Sequence, residues 1–160
     1  MQDLQALLKL LVHSHVEFVL VGGFAAVLHG CNQTTRDIDI CILYSPEQIH
    51  LIQDLLKPYN PRYRMETAKR SFLDTPEDLT KEQDFHLMTN LGALDIISHV
   101  EGVGSYYDLL KNGREIEMYG GKCHLISVED LIRCKKALGR HRDMVTVMEL
   151  EAILKENQKS

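Results

Sequence analysis

The stretches VEFVLVGG (residues 16–23) and RDIDICIL (residues 36–43) decide how this chain is interpreted. The first is short, apolar and rich in β-branched residues, and it ends at a glycine pair, which is typical of a buried strand followed by a tight turn. The second alternates aspartate with apolar residues, as a strand with one polar face does. We predict two strands, separated by a short helix over residues 24–29 that ends at Gly30.

Strand geometry predicts where the carboxylates of the second stretch point. Because successive side chains of a strand alternate between faces, Asp37 and Asp39 share one face and the isoleucines beside them take the other. Carboxylates this close repel unless a cation lies between them, and oxygen ligands favour Mg²⁺ or Mn²⁺. Asp95, isolated in the apolar run LDII (residues 94–97), becomes the third metal ligand if its strand lies alongside. We predict these three aspartates as catalytic residues and metal ligands, with Asp95 as the general base.

Each of these signals is weak when taken alone. The solvated face of a half-exposed strand also carries Asp-x-Asp, and a glycine pair is often only a turn. Their combination favours function, because exposed amides after a glycine turn accept phosphate oxygens while nearby carboxylates hold the metal of that phosphate. Phosphoryl or nucleotidyl transfer is therefore the favoured chemistry, and a merely solvated acidic cluster is the alternative.

Length and composition limit the other possibilities. A chain of 160 residues without repeats or linkers predicts one domain over residues 1–160. With 44% hydrophobic residues, it has no run near the roughly 20 apolar residues of a membrane span. The start MQDL does not resemble a secretory signal, so we expect a cytoplasmic protein with reduced cysteines and no membrane partner. A net charge of -5 argues against binding nucleic acid through a broad positive surface.

The rest of the chain predicts further helices and strands. Leucines at helical spacing predict a helix over residues 2–13, and Pro46 favours the start of another. The stretch 61–80 has a weaker pattern, which we interpret as strand fragments and a mobile loop. The turn sequence NLG (residues 90–92) joins two predicted strands, and Asp95 lies on the second.

The C-terminal third predicts a hairpin and two helices. The hairpin turns at the glycine pair 120–121, and Ser127 with Asp130 three residues later resembles a capping box at a helix start. A break near Gly139 separates the two helices. We expect the tail, residues 156–160, to fray.

Two segments of the sequence resemble those of a known family. The segment FVLVGGFAAVLHG (residues 18–30) with TRDIDI (residues 35–40) resembles the signature of the DNA polymerase β-like nucleotidyltransferase superfamily, particularly its minimal and AbiEii-like bacterial members. A second match lies in LISVEDLI (residues 125–132) followed by Lys135, Arg140 and Asp143. It is similar to a stretch in which those members direct a lysine and an arginine toward the nucleotide.

The resemblance implies an α/β nucleotidyltransferase fold, a mixed β-sheet with flanking helices and two C-terminal helices. It also implies transfer of a nucleoside monophosphate from a nucleoside triphosphate to a hydroxyl of RNA, a protein or a small molecule, in a toxin-antitoxin or defence setting with an antitoxin partner. Gln33 departs from the arginine of many relatives. For nucleotide binding, the family resemblance implies Gly22, Gly23, Thr35, Lys135 and Arg140.

Other interpretations stay open at this stage. A nucleotide- or partner-binding module with the same fold but without turnover has the same sequence features. The basic residues near the C-terminal helices contact triphosphate or RNA, or they face solvent. A second basic group either guides an anionic acceptor or belongs to a solvated loop; it comprises Arg62, Arg64, Lys69 and Arg70. Histidine and cysteine spacings that bind zinc, a serine-hydrolase elbow and a P-loop are missing from the sequence.

Overall fold

The computed structural model describes residues 2–76 and 81–159. Its helices are α1 (Leu4–Val12), α2 (Gly22–Leu28), α3 (Pro46–Leu56), α4 (Tyr106–Asn112), α5 (Val128–Leu138) and α6 (His141–Lys159). Its strands are β1 (Phe18–Val21), β2 (Asp37–Ile42), β3 (Arg62–Tyr63), β4 (Phe85–Thr89), β5 (Gly92–Ile97), β6 (His99–Val100), β7 (Gly104–Ser105), β8 (Arg114–Met118) and β9 (Gly121–Leu125).

Seven strands form one mixed sheet in the order β3-β4-β5-β2-β1-β9-β8. The pairs β2–β5 and β1–β9 are parallel, and the other neighbours in this sheet are antiparallel. A mixed sheet with two C-terminal helices was predicted, and the prediction is confirmed. Because β2 lies between β1 and β5, Asp39 has the apolar Val21 of β1 on one side and Asp95 of β5 on the other.

The core lies around the central strands and the helices packed on them. All four residues of β1 are buried, and the isoleucines of β2, Ile38 and Ile40, are fully buried. Apolar burial of this kind is the main favourable term in folding. The α1 helix packs against β2, β5 and β9, α2 packs against β1 and β2, and α5 packs against α6. Burial of the isoleucine face leaves the aspartates of β2 on the opposite, accessible face.

Two helix starts differ from the prediction. The α2 helix begins at Gly22 itself instead of after the glycine pair, because Gly22 takes a positive φ of 71° that links strand to helix directly. At α5, the Ser127 side chain accepts the amide of Asp130 as expected. The Asp130 carboxylate does not complete the capping box, because it pairs with Arg133 and Asn112.

The least regular stretch is held by aromatic contacts. Tyr63, Phe72 and Phe85 form a cluster whose ring centroids lie 5.3–6.4 Å apart, and Phe72 is fully buried. The predicted mobile loop is thus ordered up to residue 76, and residues 77–80 lie outside the described part of the chain.

The C-terminal tail continues α6 through residues 156–159, and the side chains of Lys159 and Glu156 lie 3.4 Å apart. An ion pair at this spacing supports a helical turn. Fraying of the tail stays a prediction, and residue 160 lies outside the described part of the chain.

Over residues 2–76 and 81–159, we find no helix with the length and apolar character needed to cross a membrane. The four cysteines are free thiols, as predicted.

Candidate active site

Three carboxylates meet where β2 and β5 run side by side. Asp37 and Asp39 lie on β2, and Asp95 lies on β5 directly opposite Asp39 in the parallel register. One oxygen atom from each carboxylate lies within 4.8 Å of the others. Oxygen ligands in this arrangement fit a hard divalent cation such as Mg²⁺ or Mn²⁺. The three predicted metal ligands are therefore brought together, and the cluster could hold a metal ion.

The glycine pair shapes the space around Asp39. A Cβ atom on Gly22 would lie 2.1 Å from Oδ2 of Asp39, and the positive φ of Gly22 disfavours any side chain there. A Cβ atom on Gly23 would lie 2.9 Å from Nε2 of Gln33 and 3.3 Å from Cγ2 of Thr35. Glycine at both positions therefore lets the chain pass close to a carboxylate and to the segment that precedes β2.

Gln33, the residue that departs from the family pattern, has a structural part in this region. Its Nε2 donates to the Gly23 carbonyl at 3.0 Å, and its Oε1 accepts from the Thr146 hydroxyl at 3.3 Å. The side chain thereby ties the start of α2 to α6. An arginine has no acceptor with which to replace the second contact.

Arg64 and His86 contact the acidic cluster. The Arg64 guanidinium binds both oxygens of Asp95, with Nη2 3.0 Å from Oδ2, and it lies 3.8 Å from Oδ2 of Asp37. Nδ1 of His86 lies 2.8 Å from Oδ1 of Asp95. A two-pronged arginine–carboxylate contact is among the stronger polar interactions in proteins. Asp95 is thus held by two neighbours besides the other carboxylates.

Neither contact was predicted from the sequence, although the His86 contact could have been. His86 faces Asp95 across the β4–β5 hairpin. The predicted turn at residues 90–92 fixes that antiparallel register, so the pair was within reach of sequence reasoning. Arg64 was considered only for acceptor guidance or a solvated loop. Its position depends on the pairing of β3, two residues long, with β4.

The pKa values of the three aspartates diverge. Burial raises the pKa of Asp39 to about 8, and a hydrogen bond with Asp95 and the charges of its two neighbours add to the effect. Burial and the charge of Asp95 also raise the pKa of Asp37. Burial alone would raise the pKa of Asp95, but hydrogen bonds from Arg64, Asp39 and His86 lower it to about 2. At neutral pH without a cation, Asp39 therefore retains a proton, and a bound cation would replace that proton.

The opposite side of the cleft is basic. Asp143 at the start of α6 is 2% exposed, and its carboxylate accepts from Arg140 at 2.6 and 3.2 Å. Nζ of Lys135, on α5, lies 3.5 Å from the same carboxylate. Burial alone would raise the pKa of Asp143, but Arg140 and Lys135 lower it. The two predicted phosphate-binding cations are thus organised around one buried carboxylate.

One open cleft of about 860 Å³ joins the acidic and basic sides. Arg64 and His86 also line it. A cleft of this size is in the usual range of small-molecule sites. The structure places every predicted site residue in its lining: Gly22, Gly23, Thr35, Asp37, Asp39, Asp95, Lys135 and Arg140.

Fold comparison agrees with the family resemblance. The chain has the fold of a nucleotidyltransferase, a mixed sheet with flanking helices. It is similar to the crystal structure of a candidate nucleotidyltransferase from Thermotoga maritima, with a TM-score of 0.51 and 18% sequence identity over 98% of this chain and 93% of that one. No protein-family model and no curated protein matches the sequence. The predicted fold class is confirmed, and the AbiEii-like subtype stays a prediction.

Proposed function

We propose that the protein is a nucleotidyltransferase that depends on Mg²⁺ or Mn²⁺ and moves a nucleoside monophosphate from a nucleoside triphosphate to a hydroxyl acceptor. The observation that carries the proposal is the meeting of Asp37, Asp39 and Asp95 within 4.8 Å of one another, beside a glycine pair, in a nucleotidyltransferase fold. The raised pKa values of two of these carboxylates support it as well, because burial and the neighbouring aspartates disfavour a charged form that a cation would stabilise.

The three aspartates would hold the divalent cation, which when bound stabilises negative charge on the reacting phosphate and leaving group. Asp95 would also accept the proton of the acceptor hydroxyl. In the contacts described above, Asp95 is a weak base with a pKa of about 2.

The basic side of the cleft would bind the triphosphate. Lys135 is largely buried, with its side chain 14% exposed, and is positioned through Asp143. Arg140 is half exposed, and its Nε and Nη2 donate to Asp143, so its part would be to hold that carboxylate and add positive charge. Gly22, Gly23 and Thr35 border the space between Lys135 and the aspartates, where small residues let a phosphate approach.

The proposal also covers the class of acceptor and the biological setting. RNA, a protein hydroxyl and a small polyhydroxylated molecule are the acceptor classes to test. The sequence resemblance supports a toxin-antitoxin setting with a protein partner. A small open reading frame beside the gene, whose product co-purifies with this chain, would support that setting.

The test is pyrophosphate release from each of the four nucleoside triphosphates with Mg²⁺ and total cellular RNA as acceptor. Wild type is compared with the double variant Asp37→Asn plus Asp39→Asn, which we expect to lose at least about 10³-fold in rate because it cannot hold the cation. Asp54→Asn is the matched control, because Asp54 is an exposed carboxylate of α3 that pairs with His50 outside the cleft.

Near-normal pyrophosphate release by the double variant would refute the metal assignment. Saturable, Mg²⁺-dependent nucleotide binding without release, on any acceptor class, would replace the transferase with a nucleotide-binding module. Thermal unfolding of each variant, measured in parallel, separates loss of activity from loss of structure.

A further inference from the structure

Arg64 lies on a short loop that is pinned at both ends. We refer to residues 62–71 as the Arg64 loop. Its ends pair with each other, since the Tyr63 amide donates to the Arg70 carbonyl at 2.9 Å and Arg62 is bridged to Ser71. The Arg64 amide donates to the His86 carbonyl of β4 at 3.0 Å. The backbone of Arg64 is therefore fixed beside the acidic cluster, and movement of the arginine is confined to its side chain.

The hydrogen-bonding capacity of Asp95 is filled in this arrangement. An ionised carboxylate has about four acceptor positions. Two are used by the Arg64 guanidinium, one by His86 and one by a hydrogen bond with Asp39. A divalent cation at Asp95 needs one of these positions. Loss of the Asp39 proton frees one of them, and repulsion between the cation and the adjacent guanidinium favours displacement of Arg64 as well.

Of these partners, Arg64 is the one whose charge and place match those of a cation. Its guanidinium contacts Asp95 and lies 3.8 Å from Oδ2 of Asp37, so it spans two of the three predicted metal ligands. Its side chain is 24% exposed and lines the open cleft, which gives it room to swing away. The imidazole of His86, by contrast, bonds to Asp95 and does not span two of the aspartates.

We propose that Arg64 is a latch that occupies a cation position between Asp95 and Asp37 in the metal-free protein and is displaced when a divalent cation binds there. The inference rests on the proposed function, because it assumes that the aspartates are metal ligands. Displacement of the guanidinium opposes cation binding, so Arg64 lowers the affinity of the cluster for metal and stabilises the protein without it. The released side chain then faces the cleft.

The test is a Mn²⁺ titration followed by the electron paramagnetic resonance signal of free Mn²⁺, without nucleotide, on the full chain. We expect Arg64→Ala to bind Mn²⁺ about tenfold more tightly than wild type, and Arg64→Lys to fall between them, because a lysine cannot make the two-pronged contact. Arg114→Ala is the matched control, since Arg114 is an exposed arginine of β8 at the opposite edge of the sheet. It changes net charge equally and should leave the affinity near that of wild type.

Thermal unfolding supplies a second readout. Without its arginine, the metal-free cluster keeps uncompensated carboxylates, so Arg64→Ala should unfold at a lower temperature than wild type in a chelator and gain more from saturating Mn²⁺. If Arg64→Ala does not fold in the chelator, Arg64→Lys carries the same comparison with a smaller shift.

The outcomes separate the latch from the proposed function. Equal or weaker Mn²⁺ binding by Arg64→Ala, with binding that Asp39→Asn abolishes in both backgrounds, would overturn the latch and leave the metal site intact. Weaker binding would specifically make Arg64 a residue that positions Asp95. No saturable Mn²⁺ binding by wild type or Arg64→Ala would overturn both proposals.

Discussion

Two clusters of charged side chains face the same cleft, and they balance their charge in different ways. Around Asp143, one buried carboxylate is matched by Arg140 and Lys135, and its pKa falls. Around Asp39, three carboxylates crowd together, and its pKa rises to about 8. Asp143 is buried and Asp39 is half-buried, and the opposite directions of their pKa shifts come from their neighbours.

Under the proposed function, this difference separates a structural carboxylate from a metal-binding one. A buried charge with adequate partners stabilises the fold that contains it, whereas a surplus of like charge costs stability until a ligand compensates it. The Asp143 cluster is complete within the chain. The Asp39 cluster has three carboxylates against the single arginine Arg64, and under the proposed function a divalent cation would compensate the remaining charge.

The largest effect is expected from removing the carboxylate of Asp143, whose charge is compensated by its neighbours. We expect Asp143→Asn to lower the free energy of unfolding by about 3 kcal/mol, because it leaves Lys135 and Arg140 without their shared partner. Urea denaturation measures this loss, and Mg²⁺ should not restore it. Glu156→Gln in the same helix is the control. Its ion pair with Lys159 is exposed, so the expected change is below about 0.5 kcal/mol. Equal losses in the two variants would contradict the structural assignment of Asp143.

The second prediction uses the pH dependence of stability without divalent cations. Asp39 has a folded-state pKa of about 8, above its unfolded value, so the folded protein binds more protons than the unfolded chain between these two values. The free energy of unfolding should therefore fall as pH rises from about 4 to about 8. Asp39→Asn should flatten this decline and be more stable than wild type at pH 8.

Chemical denaturation at several pH values in a chelator measures this slope. Asp143→Asn should retain the decline, and Mg²⁺ should restore the stability of wild type at pH 8. Asp95 acts in the opposite sense, because its lowered pKa contributes stability that is lost only as pH falls through about 2. If the free energy of unfolding of wild type does not change between pH 5 and pH 8, the pKa of Asp39 is not raised in the folded protein.

The smallest expected effect concerns Lys135, on the basic side of the cleft. Lys135→Met should raise the KM for the nucleoside triphosphate about tenfold with a smaller change in kcat, because it removes one positive charge from a phosphate site. Lys136→Met is the control, since Lys136 is exposed and pairs with Glu151 at 3.1 Å. Steady-state kinetics of pyrophosphate release measure both. An unchanged KM in Lys135→Met would remove that lysine from the nucleotide site.

Local patterns predicted much of this architecture. The alternation of β2 predicted a shared face for Asp37 and Asp39, and full burial of Ile38 and Ile40 confirms the alternation. The break at Gly139 was predicted and is observed, with a left-handed φ of 66° at that glycine. Errors arose where tertiary contacts replaced local preferences, as when the Asp130 side chain paired with Arg133 and Asn112 instead of capping α5.

By itself, the sequence determined that β1 is buried and that Asp37 and Asp39 share one face of β2, because these properties depend on neighbours a few positions away. Only the tertiary structure decided that β5 lies parallel to β2, which places Asp95 opposite Asp39. The same is true of Arg64, which reaches Asp95 through the pairing of β3 with β4. Parallel pairing across about fifty residues of intervening chain leaves no periodic mark on the sequence. The charge balance of the site therefore emerges only when these distant segments meet.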